Sequence, residues 1–422
     1  MGASEIVEEI EVAPVWAGHP VGFHLHTHGD KQFFAYYDAD RQMTVAVRAL
    51  GETEWEKVVL PEEVGWDSHN YITMAIDDDR YLHLSGNMHV TPLVYFRTTE
   101  PLDITTFERA PMVGNRERRT TYPRFLRGPS DELLFNYRDG SSGDGEEIYN
   151  VYDHETQTWS RLLDEPLVSG EGKMNAYFHG PLRGPDGYFH LCWVWRDTYD
   201  CATNHSLSYA RSSNLVDWET GAGDPVELPM TIDSADIVDP VEPGGGLING
   251  NARVGFDGQG RVVIAYHKFD EDGNTQIYNA RLEDGEWRIY QTSDWDYRWE
   301  FSGGGTIVFE IRIREVQPHE PGVLRQSYDH VQYGSGTWLL DEATLTPIGM
   351  YEPETIPLPE RLTQVQSDFP GMEIRRAGDS GRSPDPNVRY QLQWETLPAH
   401  RDRPREGPVP EPSMLRLIKL AN

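Results

Sequence analysis

The chain has 422 residues, 38% of them hydrophobic and 11% aromatic, which excludes a disordered chain and leaves ample material for a large core. A formal net charge of −32, with only five lysines among 37 basic residues, argues against nucleic acid or an anionic membrane as partner and gives a halophilic-type acidic surface. Two cysteines exclude a disulfide framework.

The opening "MGASEIVEEIEVAPVW" has neither the basic nor the apolar segment of an export leader, so a cytoplasmic protein is expected. No run reaches the ~18 apolar residues of a membrane helix. His24, His26 and His28 in "FHLHTHGD" alternate along one strand and share a face, as at a solvated edge or pocket rim. From there the chain reads as short aromatic or β-branched strands: "QFFAYYD", "MTVAVRAL", "YITMAI", "YLHLSG", "LVYFRT", "ELLFNY", "IYNVYD", "YFHLCWVW", "LSYARS", "RVVIAYHKF", "QIYNARL" and "TIVFEIRI". Asp- and Gly-rich turns separate them, and no long stretch has helical periodicity.

Four segments share one pattern of strand, turn, strand, loop and strand. The first three start at His69, Tyr122 and Asn175, at steps of 53 residues; the fourth starts near Asn249 or Asn251. Such a period marks a β-propeller blade. The expectation is one all-β domain over residues 1–422, built of four-stranded antiparallel blades, six or seven in number. "SSNLVDW" is a partial Asp-box turn, and the glycines of "PGGGLINGN" suit close backbone approach at a central channel. Residues 370–422, part Pro-rich and part strand-like, are expected to wrap and close the domain.

In such a fold the first strand of each blade lines the channel, so matched positions converge. Those positions hold His69, Tyr122, Asn175 and Asn249 or Asn251. The loops after the second strands add His89, Arg138, Arg196 and His267. This set is cationic or neutral inside an acidic protein, which is the reversal an anionic ligand needs. Arg offers a planar fork to a carboxylate, and His and Tyr move protons. No Asp or Glu occupies the matched positions, which argues against a glycosidase. The set suits β-elimination at a uronate, in which a base removes the C5 proton, an acid protonates the leaving oxygen, and a cation stabilises the enolate-like charge.

"WDSHNY", "SGNMH", "TYPRF" and "YRDG" carry a resemblance to the BNR-repeat propeller family of polysaccharide lyases, of the ulvan lyase and rhamnose–glucuronate lyase type, over roughly residues 20–345. The resemblance implies a seven-bladed propeller and an unsaturated uronate product. It implies His69 and His89 as the paired histidines, Tyr122 and Arg138 as their partners, and an anionic polysaccharide or oligosaccharide as substrate. Arg138, assisted by His89, is expected to neutralise the carboxylate. Tyr122 and His69 form the proton-transfer pair, with either as base. Asn70, Arg124, Asn175, Arg196, Asn251 and His267 are expected in substrate binding. A non-catalytic glycan-binding propeller and a sialidase-like hydrolase are the alternatives. A monomer is expected.

The elimination requires no cofactor, although the family includes members with a structural metal such as zinc or calcium. His190, Cys192, Cys201 and His205 are the candidate ligands here. Their spacing, H-x-C-x8-C-x3-H, is not that of a standard finger, and packing in the sheet competes with ligation.

Overall fold

The structure, a computed structural model, describes residues 6–352, 358 and 360–421. They form seven antiparallel sheets, one α-helical turn, Glu360–Thr363, and three short 3-10 turns. No helix among them is long and apolar enough to cross a membrane.

Strand burial follows the pattern read from the residues. Lys31–Tyr37 and Gln42–Ala49 are apolar almost throughout and buried on both faces, as strands sandwiched between neighbouring sheets must be. Glu56–Glu63, at the outer edge of the same sheet, is mostly exposed and charged, which blunts that edge against stray pairing. The tight turns are built by aspartates. Asp77 accepts the Tyr81 N–H at 2.8 Å, and Asp257 accepts the N–H groups of Gln259 and Arg261 at 2.9 Å.

The four repeats each begin a sheet. Their first strands are Ile72–Ile76, Thr120–Arg127, Asn175–Arg183 and Arg253–Phe256. The first strands lie against one another: Ile72–Ile76 touches both His24–His28 and Thr120–Arg127, and Asn175–Arg183 touches Arg253–Phe256. Apolar clusters join successive sheets. One packs Leu134 and Tyr149 against Trp193 and Trp195; the next packs Val194 and Tyr209 against Ile264 and Tyr266.

The terminal sheet contains both ends of the described chain. Ile6–Val15 pairs with Ser413–Ala421, which pairs with Val388–Thr396 and through it with Glu373–Gly378. One strand crosses between sheets: His89–Thr91 leaves the sheet of Ile72–Ile76 and pairs with Thr120–Arg127, setting His89 opposite Thr121. That crossing brings residues from two repeats together.

Candidate active site

The turn "GWDSHNY" builds the first half of the site. Asp67 caps the short turn Ser68–Asn70, its Oδ1 accepting the His69 backbone N–H at 2.9 Å. The same oxygen lies 2.6 Å from His69 Nδ1, and Oδ2 lies 2.5 Å from His89 Nδ1. One carboxylate thus orients two imidazoles, which stack with centroids 4.0 Å apart and planes 22° apart. With each Nδ1–H donating to Asp67, each Nε2 is left as the basic nitrogen. Burial by itself would raise the Asp67 carboxyl, but the hydrogen bonds and charges of His69 and His89 outweigh it and hold the group well below the usual carboxylate range.

Tyr122 forms the second half. It has a left-handed φ of 60° and sits where the register of Thr120–Arg127 slips between Thr121 and Arg124. A bulge of this kind re-aims a side chain, and here it sets the ring 5.4 Å from that of His69. Tyr177 lies 6.1 Å from Tyr122, and the Arg138 guanidinium lies 4.9 Å from the Tyr122 centroid. Burial, joined by Tyr177 and Tyr71, pushes the Tyr122 phenol up, while Arg138 and Arg196 pull it down less strongly. The phenol is therefore neutral, and a proton donor, at ordinary pH.

Two cavities share the wall made by Tyr122, Tyr177, Asn249 and Gly250. One, the imidazole cleft, 280 Å³, holds His69, His89 and Arg196 together with Thr306, Phe309 and Arg312. The other, 260 Å³, holds Tyr71, Arg124, Asn136, Arg138 and Glu147. Gly250 has φ 81°, a backbone that glycine adopts without strain.

Arg138 therefore lies behind Tyr122 and not in the imidazole cleft. It is 2% exposed, its Nε and Nη1 have no hydrogen-bond partner, and Nη2 donates to Thr121 at 3.2 Å. Arg196 lines the cleft, donating to the carbonyls of Thr198 and Tyr199 and lying 5.7 Å from the Tyr177 ring. Arg124 lines the second cavity, with Nε donating to Asn136 at 3.1 Å.

Several expected substrate-binding residues lie outside both cavities. Asn251 is buried, spanning the Ile311 carbonyl and the Ile313 N–H at 3.1 and 3.2 Å, so it ties two sheets together; Asn249 is the residue at the cleft. His267 is 1% exposed and packs on Trp299, with burial lowering it to about 4. Asn175 is buried and donates to the Ala176 carbonyl at 2.8 Å. Asn70 is buried in the His69 turn, where its carbonyl accepts the Tyr37 hydroxyl at 2.6 Å.

The candidate metal ligands do not converge. His190 is held between the Tyr209 hydroxyl at 2.7 Å and Asp186 at 3.0 Å, whereas His205 is held by Asp197 at 2.9 Å. Cys192 and Cys201 are buried free thiols. His190 pairs with Arg211 and His205 with Trp195, toward opposite ends of one strand pair. Among the described residues, the group of three or more His, Cys, Asp or Glu with donors close enough for an ion is Asp67, His69 and His89. Its 2.5 and 2.6 Å contacts are hydrogen-bond distances, shorter than two donors take around a shared ion.

The matched repeat positions brought His69, His89, Tyr122 and Arg196 to light. Asp67, Tyr177, Asn249 and Arg312 complete the site. Tyr177 had a signal, since "NAYFHG" sets a tyrosine in the repeat beside "TTYPRF". Asp67 had one too, in its place as cap of the histidine turn.

The fold and cleft define a repeat-built all-β protein with a His–Tyr–Arg pocket at the meeting of its repeats. Residues 31–295 match the BNR repeat-containing family, and the chain belongs to it. Among curated proteins it is similar to the long isoforms of ulvan lyase from Glaciecola sp. (strain KUL10), at 26% identity, and from Pseudoalteromonas sp. (strain PLSV), at 27%. Each match covers 135 residues, 30% of this chain and 13% of the relative, so only a small part of those longer proteins is matched. Among solved structures it is similar to polysaccharide lyase Uly1, with TM-score 0.63 and 16% identity over 99% of both chains. It is also similar to a PL25 ulvan lyase, with TM-score 0.60 and 14% identity over 93% of this chain and 97% of that one. That lyase is also known bound to -[GlcA(1-4)Rha3S]-.

Proposed function

We propose that the protein is a polysaccharide lyase that cleaves a uronate-containing glycan, ulvan-like or rhamnose–glucuronate, by β-elimination. The carrying observation is the Asp67-bridged imidazole pair facing the Tyr122 phenol in one cleft with Arg196. The relatives' activity on ulvan supports this substrate class. We also infer that the seven sheets close as one seven-bladed propeller, with the terminal sheet, which takes three of its strands from residues 373–421, as its closing blade.

In this reading the uronate carboxylate lies against Arg196, and Arg138 adds its field from behind Tyr122. His69 Nε2 takes the C5 proton as the C4–O4 bond breaks and a C4–C5 double bond forms. Tyr122 gives its proton to the departing O4, and the His69 proton returns to the phenolate through solvent. Asp67 keeps the proton of His69 on Nδ1 and stabilises the imidazolium, whereas burial keeps Tyr122 protonated.

A hydrolase of the paired-carboxyl type would need two carboxyls flanking the sugar, and the described residues lining the cleft include no Asp or Glu; a sialidase-like hydrolase, with a tyrosine nucleophile, is separated by its product. Asp67 is committed to both histidines. The test is incubation with a uronate glycan panel in high salt. Product absorbance at about 230–235 nm, the band of the conjugated uronate, is expected. Reducing sugar without that band, or binding alone that survives loss of His69 and Tyr122, overturns the reading.

A further inference from the structure

We propose that Asp402, carried by the C-terminal segment, is a positioning residue for His69 that ties the His69 turn to the Thr306 segment of the cleft wall. The inference rests on the lyase reading for its kinetic consequence but not for its geometry.

The segment "PAHRDRPREGP" reads as a polar, Pro-rich linker. An aspartate there would be expected in water, yet the Asp402 side chain is 6% exposed. It lies far from the cleft in sequence and outside the matched family region of residues 31–295. A buried carboxylate needs donors, and Asp402 has them from both the His69 turn and the Thr306 segment. Oδ1 accepts the Ser68 N–H at 3.1 Å and the Ser68 hydroxyl at 3.0 Å, and it lies 3.4 Å from His19 Nε2. Oδ2 accepts the Thr306 N–H at 2.6 Å and the Thr306 hydroxyl at 2.9 Å. Ser68 and Thr306 also meet each other, hydroxyl to hydroxyl, at 2.6 Å. Ser68 adjoins His69, and Thr306 lines the same cleft as the imidazoles.

The turn is anchored where it stands. Arg401 and Asp402 have left-handed φ of 53° and 54°, and Arg401 donates to the Ser302 carbonyl at 2.7 Å and the Gly304 carbonyl at 3.2 Å. A Cβ on Gly305 would stand 2.3 Å from the Arg401 carbonyl oxygen, so the loop beneath accepts the turn only as glycine. A latch alone would require nothing more. Asp402 does more: its Oδ2 is 3.6 Å from His69 Nδ1, the nitrogen already 2.6 Å from Asp67. Two carboxylates on one side of the ring hold the proton on Nδ1 and leave Nε2 for the substrate, as outer partners orient functional imidazoles elsewhere. Burial would raise the Asp402 carboxyl, but His19 and His69 keep it low, so it remains an anion.

The test compares Asp402→Asn and Asp402→Glu with the natural protein by steady-state kinetics on a uronate glycan, by ¹⁵N shifts of the His69 ring, and by thermal melting. Asp402→Asn is expected to lower kcat about 10–100-fold, the range for loss of an outer partner of a functional imidazole, with KM much less affected. The His69 ring shifts are expected to move as the imidazole loses one of its two neighbouring carboxylates while Asp67 still holds Nδ1, and Asp402→Glu to recover part of both effects. If Asp402→Asn does not fold, Thr306→Ala removes one donor and should move kcat and the ring shifts in the same direction by less. Unchanged kcat per folded molecule with unchanged ring shifts overturns the proposal, even if melting falls. If the natural protein gives no unsaturated product, the lyase reading fails, and the ring shifts alone decide the position of Asp402.

Discussion

Asp67 shows how much one side chain can organise: it caps a turn and orients two imidazoles. Asp67→Asn is expected to lower kcat on a uronate glycan at least about 100-fold, because an amide cannot accept both Nδ1 protons and one ring must take the wrong tautomer. Glu147 behaves differently. Burial raises it to about 7, against weaker opposing help from Asn136, Arg124 and Arg138. The folded chain then binds a proton that the unfolded chain has already lost, so stability falls as pH rises from about 4.5 to 7 and levels off above. Glu147→Gln should remove that slope and raise the melting temperature at pH 8, with about 3 kcal/mol as the upper figure. Melting curves across pH decide it. The matched repeats made His69, His89, Tyr122 and Arg196 legible, since equivalent positions converge. They misled at Asn251 and His267, because the repeat register gives a residue's place in a blade but not whether its side chain faces the cleft or the next sheet. Asn249 and Asn251 are two apart in one turn before the strand Arg253–Phe256, and their contacts separate their roles: Asn249 lines the cleft, whereas Asn251 bonds to Ile311 and Ile313.

At the scale of elements, the strands were plain in the sequence because their aromatic and β-branched runs are interrupted by Asp and Gly. Two irregular pieces were not plain, and both build the site. One is the bulge at Tyr122; the other is the three-residue strand His89–Thr91, which pairs outside its own sheet. Neither leaves a hydrophobic period to read. The crossing strand carries strain, since Val90 has φ 57°, a region that β-branched residues rarely adopt, while its N–H donates to the Thr121 hydroxyl at 2.8 Å. Val90→Gly is therefore expected to stabilise the fold by about 1 kcal/mol while lowering turnover, as the backbone holding His89 loosens. Denaturant melts set beside kcat test this; a variant that loses stability contradicts it.

For the whole molecule, charge is the dominant fact. With 69 acidic residues against 37 basic ones, the surface repels itself. The melting temperature should rise between about 0.05 M and 2 M NaCl as the screening length shrinks to a few ångströms. KM for an anionic glycan should also fall over the first part of that range, because the acidic exterior screens out sooner than the enclosed arginines of the cleft. A KM that climbs steadily with salt would show attraction by exposed cations instead. Net charge was available from composition alone, but the grouping of Arg124, Arg138, Arg196 and Arg312 around two joined cavities required the packing of the sheets. The strand-like runs of the C-terminal segment suggested a closing role, but no local signal named their partner, because the flanking pairing of Ile6–Val15 with Ser413–Ala421 joins residues some four hundred positions apart. Ile6 stands opposite Leu420 in that sheet, so the two described ends are immediate neighbours. A short peptide bridge there could join them, and the polypeptide could be reopened at an exposed tip such as the Asp78–Asp79 turn, giving a circularly permuted protein with every sheet retained.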